Sequence, residues 1–283
     1  MGPRAGEEAA LGEYEQMNEK LPERESHQNY EAKIMQEKWD DVSEISGEWY
    51  PSEGLVRFIA RYVQRKTGVD RYEVKRPLKR ILDLGCGNGR HIMFFAEQGF
   101  EVYGLDCSTA AIQTANKWLL KKGLKARLQV GDSANLPYED GFFDIVVACG
   151  VLDHMTFSDA KKTLTEMRRV TLCHGYVYVT LRSTEDSEYG RGKKIDHNVF
   201  ELTAGYEKGI VQHYFDLEEI KELFDALKVF DIELHEEKFP RLYTIDKAFL
   251  QSSMGTKRYL DLSQLTDLEL KYSRWHIAAE RCK

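Results

Sequence analysis

Short apolar runs alternate with helix-length amphipathic stretches through the middle of the chain. Arg80–Leu84 (RILDL) predicts a strand. Asn88–Gln98 predicts a helix closed by Gly99. Glu101–Asp106 (EVYGLD) predicts the next strand, and Ser108–Lys122 a helix with Ser108 as N-cap and Gly123 as its stop. Ala126–Val130 and Phe143–Cys149 (FDIVVAC) predict strands three and four. Ser158–Val170 predicts a helix with Ala160, Leu164 and Met167 on one side, and Gly175–Leu181 (GYVYVTL) a fifth strand. Strands of this length alternating with helices of 10–15 residues imply βαβ units and a parallel sheet. Right-handed crossovers then place helices on both faces. The predicted fold class is α/β, a Rossmann-like doubly wound sheet.

The flanks differ. Residues 1–26 are polar and acid-rich, with little to bury, and predict a disordered tail. Tyr30, Ile34, Met35 and Trp39 fall on one helical face between His27 and Trp39. A second helix opens at Ser52, carries Leu55, Phe58, Ile59, Tyr62 and Val63 as its stripe, and is expected to end at Gly68. Residues 27–70 thus predict a helical lid, in which Trp39, Trp49 and Tyr50 can close over a ligand. Periodicity fails over 183–214 and 236–272, two expected irregular insertions. Between them lie a helix capped by Asp216 and a strand at Val229–Leu234; Trp275–Glu280 reads as a final strand. With no repeat or linker, residues 27–283 predict a single domain.

Composition narrows the function classes. Lys+Arg is 40 and Asp+Glu 47, a net charge of −7, which disfavours attachment to nucleic acid by general phosphate attraction. No apolar run approaches the roughly 18 residues of a membrane span. Acidic residues stand where a secretory signal would be apolar. The expected compartment is the cytoplasm. Cys86, Cys107, Cys149, Cys173 and Cys282 lack paired spacing, so neither a disulfide framework nor a metal site is expected.

The sharpest motif is Ile81-Leu82-Asp83-Leu84-Gly85-Cys86-Gly87-Asn88-Gly89-Arg90-His91. A strand ends in a Gly-x-Gly-x-Gly turn and a helix follows. Glycine permits the tight turn and lets a ligand approach with no Cβ in the way. The loop falls at the carboxyl edge of the sheet, where open α/β folds bind ligands. Asp106 ends strand two and can accept both hydroxyls of a ribose. Asp132 and Ser133 follow strand three, where an acidic side chain can accept from an adenine amino group. A dinucleotide fingerprint would place its third glycine at position 90, where Arg90 stands. Asp83 at the strand end suits a cationic ligand better than a pyrophosphate.

These residues, with VYGLD, GDSANLPYEDGFFDIVVACGVLDH and GYVYVTL, resemble the class I S-adenosylmethionine-dependent methyltransferases of the small-molecule "type 11" group. The resemblance covers about residues 78–182 and extends loosely to 283. It implies a seven-stranded sheet of order 3-2-1-4-5-7-6 with strand 7 antiparallel. It implies S-adenosylmethionine as cofactor and S-adenosylhomocysteine as product. It puts Asp83 and Gly85 at the methionine end, Asp106 on the ribose, Cys107 beside the adenine, Asp132 and Ser133 on the adenine, and the Cys149 carbonyl on the ammonium, with Gly87, Asn88, Gly89 and Ser108 also in the cofactor site.

A small-molecule acceptor is expected. Asn135-Leu136-Pro137-Tyr138 is misplaced for an amino-methylating signature. His154, after strand four, and His213 are the candidate bases. Arg182, Tyr189, Asn198 and Tyr214, in and around the 183–214 insertion, are the candidate acceptor contacts; Arg191, Lys193 and Lys194 add positive charge there, suiting an acidic or phosphorylated acceptor. Gln212-His213-Tyr214 also resembles a segment of cap guanine methyltransferases. An RNA methyltransferase and a non-catalytic S-adenosylmethionine-binding protein remain the alternatives.

Overall fold

A computed structural model describes residues 36–41, 50–66, 72–74, 78–205, 207–240 and 269–282. Its centre is a seven-stranded sheet. We number the strands β1 (Arg80–Leu84), β2 (Glu101–Asp106), β3 (Arg127–Val130), β4 (Phe143–Cys149), β5 (Thr171–Arg182), β6 (Lys228–Pro240) and β7 (Glu269–Glu280). They lie in the order β6-β7-β5-β4-β1-β2-β3. The first five pair in parallel, and β7 is antiparallel to both β5 and β6. This is the expected order 3-2-1-4-5-7-6 with its antiparallel strand.

The helices are α1 (Glu53–Phe58), α2 (Arg90–Glu97), α3 (Thr109–Lys122), α4 (Phe157–Val170) and α5 (Leu217–Leu223). Local chemistry fixes their ends. Ser108 Oγ accepts from Ala111 N at 3.0 Å, and Gly123 closes α3 in the left-handed conformation. Asp216 and Glu219 form a reciprocal capping box on α5. The sheet then divides the core in two. Phe143, Val146 and Ala148 of β4 face Leu164, Met167 and Phe224 on one side. Ile145 and Val147, the intervening residues, face Leu55, Ile92, Phe95 and Ile112 on the other. A strand buried on both faces reads as a continuous apolar run, which is why FDIVVAC is so legible.

Several boundaries differ from expectation. After Phe58 the helix widens into a π-turn, Ile59–Val63, and passes into a strand Gln64–Lys66 paired with Tyr72–Val74. The helix therefore ends before Gly68, which lies outside the described residues, as do the 1–26 tail, residues 27–35, 42–49 and 67–70 of the 27–70 lid, and Tyr206. The 183–214 segment is not irregular. It holds a three-stranded antiparallel sheet of Lys193–Asp196, Val199–Glu201 and Val211–His213, turned at Asn198 with φ +54°. Lys193–Asp196 is exposed on both faces, so no alternation of polarity announced it. Residues 236–240 and 269–272, expected to be irregular, extend the β6–β7 hairpin. One face of that hairpin meets water, so its ends carry polar residues; 241–268 lie outside the described residues.

His276 on β7 lies inside the fold with Nδ1 2.7 Å from the Tyr178 hydroxyl. Burial, then the nearby His235, Arg274 and Arg57, push its imidazole down to about 4. Unfolding releases it to titrate near 6.5, so protons bind the unfolded chain more tightly between those values. Stability is then full above about pH 6.5 and declines as pH falls towards 4. His276→Gln should flatten that decline by on the order of 2–3 kcal/mol in urea melts at pH 7 and pH 4.5. Parallel curves for the two proteins would contradict it.

Candidate functional site

The parallel strands all end at one edge, and the glycine turn lies there. Gly85 N and Cys86 N both donate to Leu105 O, at 2.7 and 3.2 Å, which ties the turn to β2. Gly85 has φ +64°, and a Cβ there would sit 2.4 Å from Val151 Cγ2. Gly87 has φ +50°, and a Cβ there would meet nothing within 4 Å. The turn therefore opens onto space that a ligand can enter against bare backbone. Asn88 and Gly89 complete it, with Gly89 as the left-handed N-cap of α2.

Asp83 is 1% exposed, and neither of its carboxylate oxygens has a hydrogen-bond partner among the described residues. Its nearest ionisable neighbour is His91, whose Nδ1 stands at 3.7 Å; His91 Nε2 accepts from Ser52 N at the start of α1. A buried carboxylate without donors costs several kcal/mol unless something compensates it. Asp106 differs: Oδ2 accepts from Gly87 N at 2.7 Å and Oδ1 from Ser108 N at 2.8 Å. Burial raises its carboxyl above the ordinary range, and those two N–H groups only partly offset this. Asp132 is exposed, and its Oδ1 accepts from Ala134 N at 2.9 Å in an Asx-type turn. Ser133 Oγ lies 3.2 Å from Thr163 Oγ1. Gly131 N donates to Asp106 O, bringing the ends of β2 and β3 together.

Helical residues 36–41 roof this edge. Asp40 Oδ1 accepts from Ser108 Oγ at 2.5 Å and from Ala110 N at 3.0 Å. Gln36 Nε2 donates to Thr109 Oγ1, and Lys38 Nζ to Gly209 O. Trp39 packs edge-on against His154, 4.8 Å between ring centroids. The segment thus bridges the start of α3, the turn after β4 and the 183–214 insertion. Sequence reading placed Trp39 in a lid; Asp40 and Gln36 gave no signal, since their partners are some 70 residues away.

The two histidines fall in different settings. His154 is half-buried in the turn after β4, with Nδ1 3.2 Å from Val211 O. A carbonyl only accepts, so Nδ1 carries the proton and Nε2 keeps a lone pair. Burial holds the ring below its usual range and outweighs the opposing pull of Asp153, leaving it neutral at pH 7. His213 is fully enclosed, with Nε2 on Glu219 Oε1 at 3.0 Å and its ring stacked on Phe215.

Of the four candidate acceptor contacts, Tyr214 is fully buried and its hydroxyl donates to Glu188 O. Tyr189 is exposed and donates to the Oδ1 of buried Asn198. Arg182 is 8% exposed and joins a cluster that sequence reading missed. Its Nη1 meets Glu188 at 3.0 Å and its Nη2 the Tyr272 hydroxyl at 2.8 Å. Arg274 Nη2 reaches the same hydroxyl at 2.9 Å, and its Nη1 reaches the fully buried Asp153 at 2.7 Å. Burial works to raise the Asp153 carboxyl; Arg274, His154 and Arg182 outweigh it and hold it below the ordinary range. The only signal in the sequence was positional: an antiparallel seventh strand starts where the parallel strands end.

Residues 81–175 match a family model described as a methyltransferase domain. Norajmaline N-methyltransferase of Rauvolfia serpentina is 37% identical over 99 residues, 34% of this chain and 33% of that protein. Demethylmenaquinone methyltransferase of Thermus thermophilus is 34% identical over 140 residues, 48% of this chain and 62% of that protein. The chain spans less than two thirds of each of these relatives. A solved S-adenosylmethionine-dependent methyltransferase of Methanosarcina mazei superposes with a TM-score of 0.58 at 18% identity, over 82% of this chain and 99% of that one. Fold and motif together define an α/β methyltransferase domain. Residues 81–175 thus resemble a methyltransferase domain, and the chain shares the fold of that solved methyltransferase.

The cysteines along this edge are shielded. Burial first, then Asp106, pushes the Cys107 thiol up to about 12; Cys86 and Cys149 are raised likewise by burial. Cys173 and Cys282 are exposed. At pH 8 iodoacetamide should label Cys173 and Cys282 within minutes and leave the other three unmodified in the native protein, as read by peptide mass spectrometry. Fast labelling of Cys107 would contradict the assigned burial.

Proposed function

We propose that this protein transfers a methyl group from S-adenosylmethionine to a small-molecule acceptor, releasing S-adenosylhomocysteine. The observation that carries the reading is Asp83: a buried carboxylate with no hydrogen-bond donor among the described residues, beside a glycine turn that opens onto free space. Such a group calls for a cation, and the donor brings an ammonium and a sulfonium. When bound, S-adenosylmethionine supplies a methyl carbon activated by its attachment to positive sulfur.

The chain's own residues then divide the work. Asp83 and the Cys149 carbonyl face the ammonium; Gly85, Gly87, Asn88 and Gly89 leave room for the chain between. Asp106 is held in one rotamer by Gly87 N and Ser108 N, and each oxygen keeps a lone pair for a ribose hydroxyl. Cys107 and Ser108 border the ring, Asp132 accepts from the adenine amino group, and Ser133 supplies its backbone N–H. The 36–41 roof keeps water from the reacting atoms. The acceptor atom must approach the methyl carbon opposite sulfur. Holding that alignment is worth roughly 7–11 kcal/mol of barrier. The neutral His154 can take the acceptor's proton at Nε2; enclosed His213 instead braces the turn before α5 through Glu219.

We also infer a cytoplasmic setting. All five cysteines are free, and no helix among the described residues is long and apolar enough to cross a membrane.

Incubation with radiolabelled methyl donor and fractionated cell extract should place label in a small molecule. Label in RNA alone, or none in any fraction, would overturn the proposal. In calorimetry, Asp106→Ala should weaken donor binding by about 1–3 kcal/mol, the range for losing a charged hydrogen-bond partner. Unchanged affinity in a folded variant would remove Asp106 from the site.

A further inference from the structure

Tyr272 stands two residues before Arg274, whose register partner across the sheet is Arg182 at the end of β5. Because β7 runs antiparallel, its start comes to the same edge as the ends of β4 and β5. A Cβ on Gly150, the residue after β4, would lie 3.8 Å from Arg274 Nη1. The Arg182–Tyr272–Arg274 cluster therefore borders the β4–β5 half of the edge, on the other side of β1 from Asp106 and Asp132. Given the donor reading above, that half is where the methyl acceptor sits, and the inference rests on that reading.

The cluster's unused hydrogen-bonding capacity is specific. A phenol oxygen has two lone pairs and one proton. Both lone pairs of Tyr272 are taken, by Arg182 Nη2 and Arg274 Nη2. The hydroxyl can only donate. Arg182 Nε, buried and without a hydrogen-bond partner among the described residues, is a second donor. The nearby acids are already engaged: Asp153 Oδ2 on the cluster's own Arg274, Glu188 on Arg182 and Arg191, and Asp186 on the backbone N–H groups of Glu188 and Ser273. Asp153 Oδ1 remains as a buried acceptor without a hydrogen-bond partner among the described residues. Two donors, one a guanidinium N–H and the other a hydroxyl polarised by two guanidiniums, match an anionic oxygen better than a neutral one.

We propose that Tyr272 is an acceptor-recognition residue, donating its hydroxyl proton, alongside Arg182 Nε–H, to a carboxylate or phosphate oxygen of the methyl acceptor. Tyr272 selects the molecule and takes no part in methyl transfer; Asp153 Oδ1 receives a hydroxyl or N–H next to the anion.

The test uses the full chain saturated with S-adenosylhomocysteine and titrated separately with benzoate and with inorganic phosphate, followed by calorimetry or protein NMR. At least one anion should bind, and the stronger of the two identifies the anion class. Tyr272→Phe should weaken that binding at least fivefold while leaving S-adenosylhomocysteine affinity within twofold. Arg182→Lys keeps the charge, loses the Nε–H and should weaken it at least threefold, so the test survives if the first variant fails to fold. Failure of both anions to bind the wild-type complex, or equal binding by wild type and both folded variants, overturns the inference and leaves the donor reading standing. Failure of the wild-type chain to bind S-adenosylhomocysteine overturns the donor reading and this inference with it.

Discussion

The arrangement depends on one buried carboxylate that no N–H or O–H among the described residues reaches by a hydrogen bond. Asp83, the last residue but one of the central parallel strand, is 1% exposed and receives no hydrogen bond among the described residues. A protein optimised only for stability would put a hydrophobic residue there, because a buried carboxylate is costly without donors. The cost is tolerable because β1 lies between β2 and β4, and the sheet's two apolar cores hold the strand in place. What the fold retains is a rigid negative point at the mouth of a crevice. Around it are a turn with no side chains in the way and a second carboxylate, Asp106, already oriented by two N–H groups.

The same edge shows how topology recruits residues from far apart in the chain. Parallel strands contribute Asp83, Asp106, Asp132 and Cys149 from their ends. The antiparallel β7 contributes Tyr272 and Arg274 from its beginning, more than 120 residues after Cys149, by the same geometric rule. The roof from residues 36–41 reaches back over the start of α3 and touches His154 through Trp39. Donor side and acceptor side are thus built from different parts of the sequence around one glycine turn.

That difference explains what the sequence disclosed. Strands β1, β2 and β4 are buried on both faces and read as apolar runs. Their caps, Ser108 and Gly123, are local signals, so elements from Arg80 to Val170 were legible almost to the residue. Asp83, Gly85, Gly87 and Asp106 were legible as candidates because the turn and its acids lie within 24 positions. The insertion strand Lys193–Asp196 was not, since exposure on both faces leaves no alternation to find. Nor were Asp40, Asp153, Tyr272 and Arg274. Their meaning lies in partners brought close only by sheet closure, as in the Arg274–Asp153 pair 121 residues apart.

The most direct measurement replaces Asp83 by Asn and follows two quantities: the thermal midpoint of the ligand-free chain and the dissociation constant for S-adenosylmethionine. If the carboxylate is retained for a cation, Asp83→Asn should leave the midpoint unchanged or higher and weaken S-adenosylmethionine binding at least tenfold. A variant that binds S-adenosylmethionine as tightly as the wild type would contradict the account.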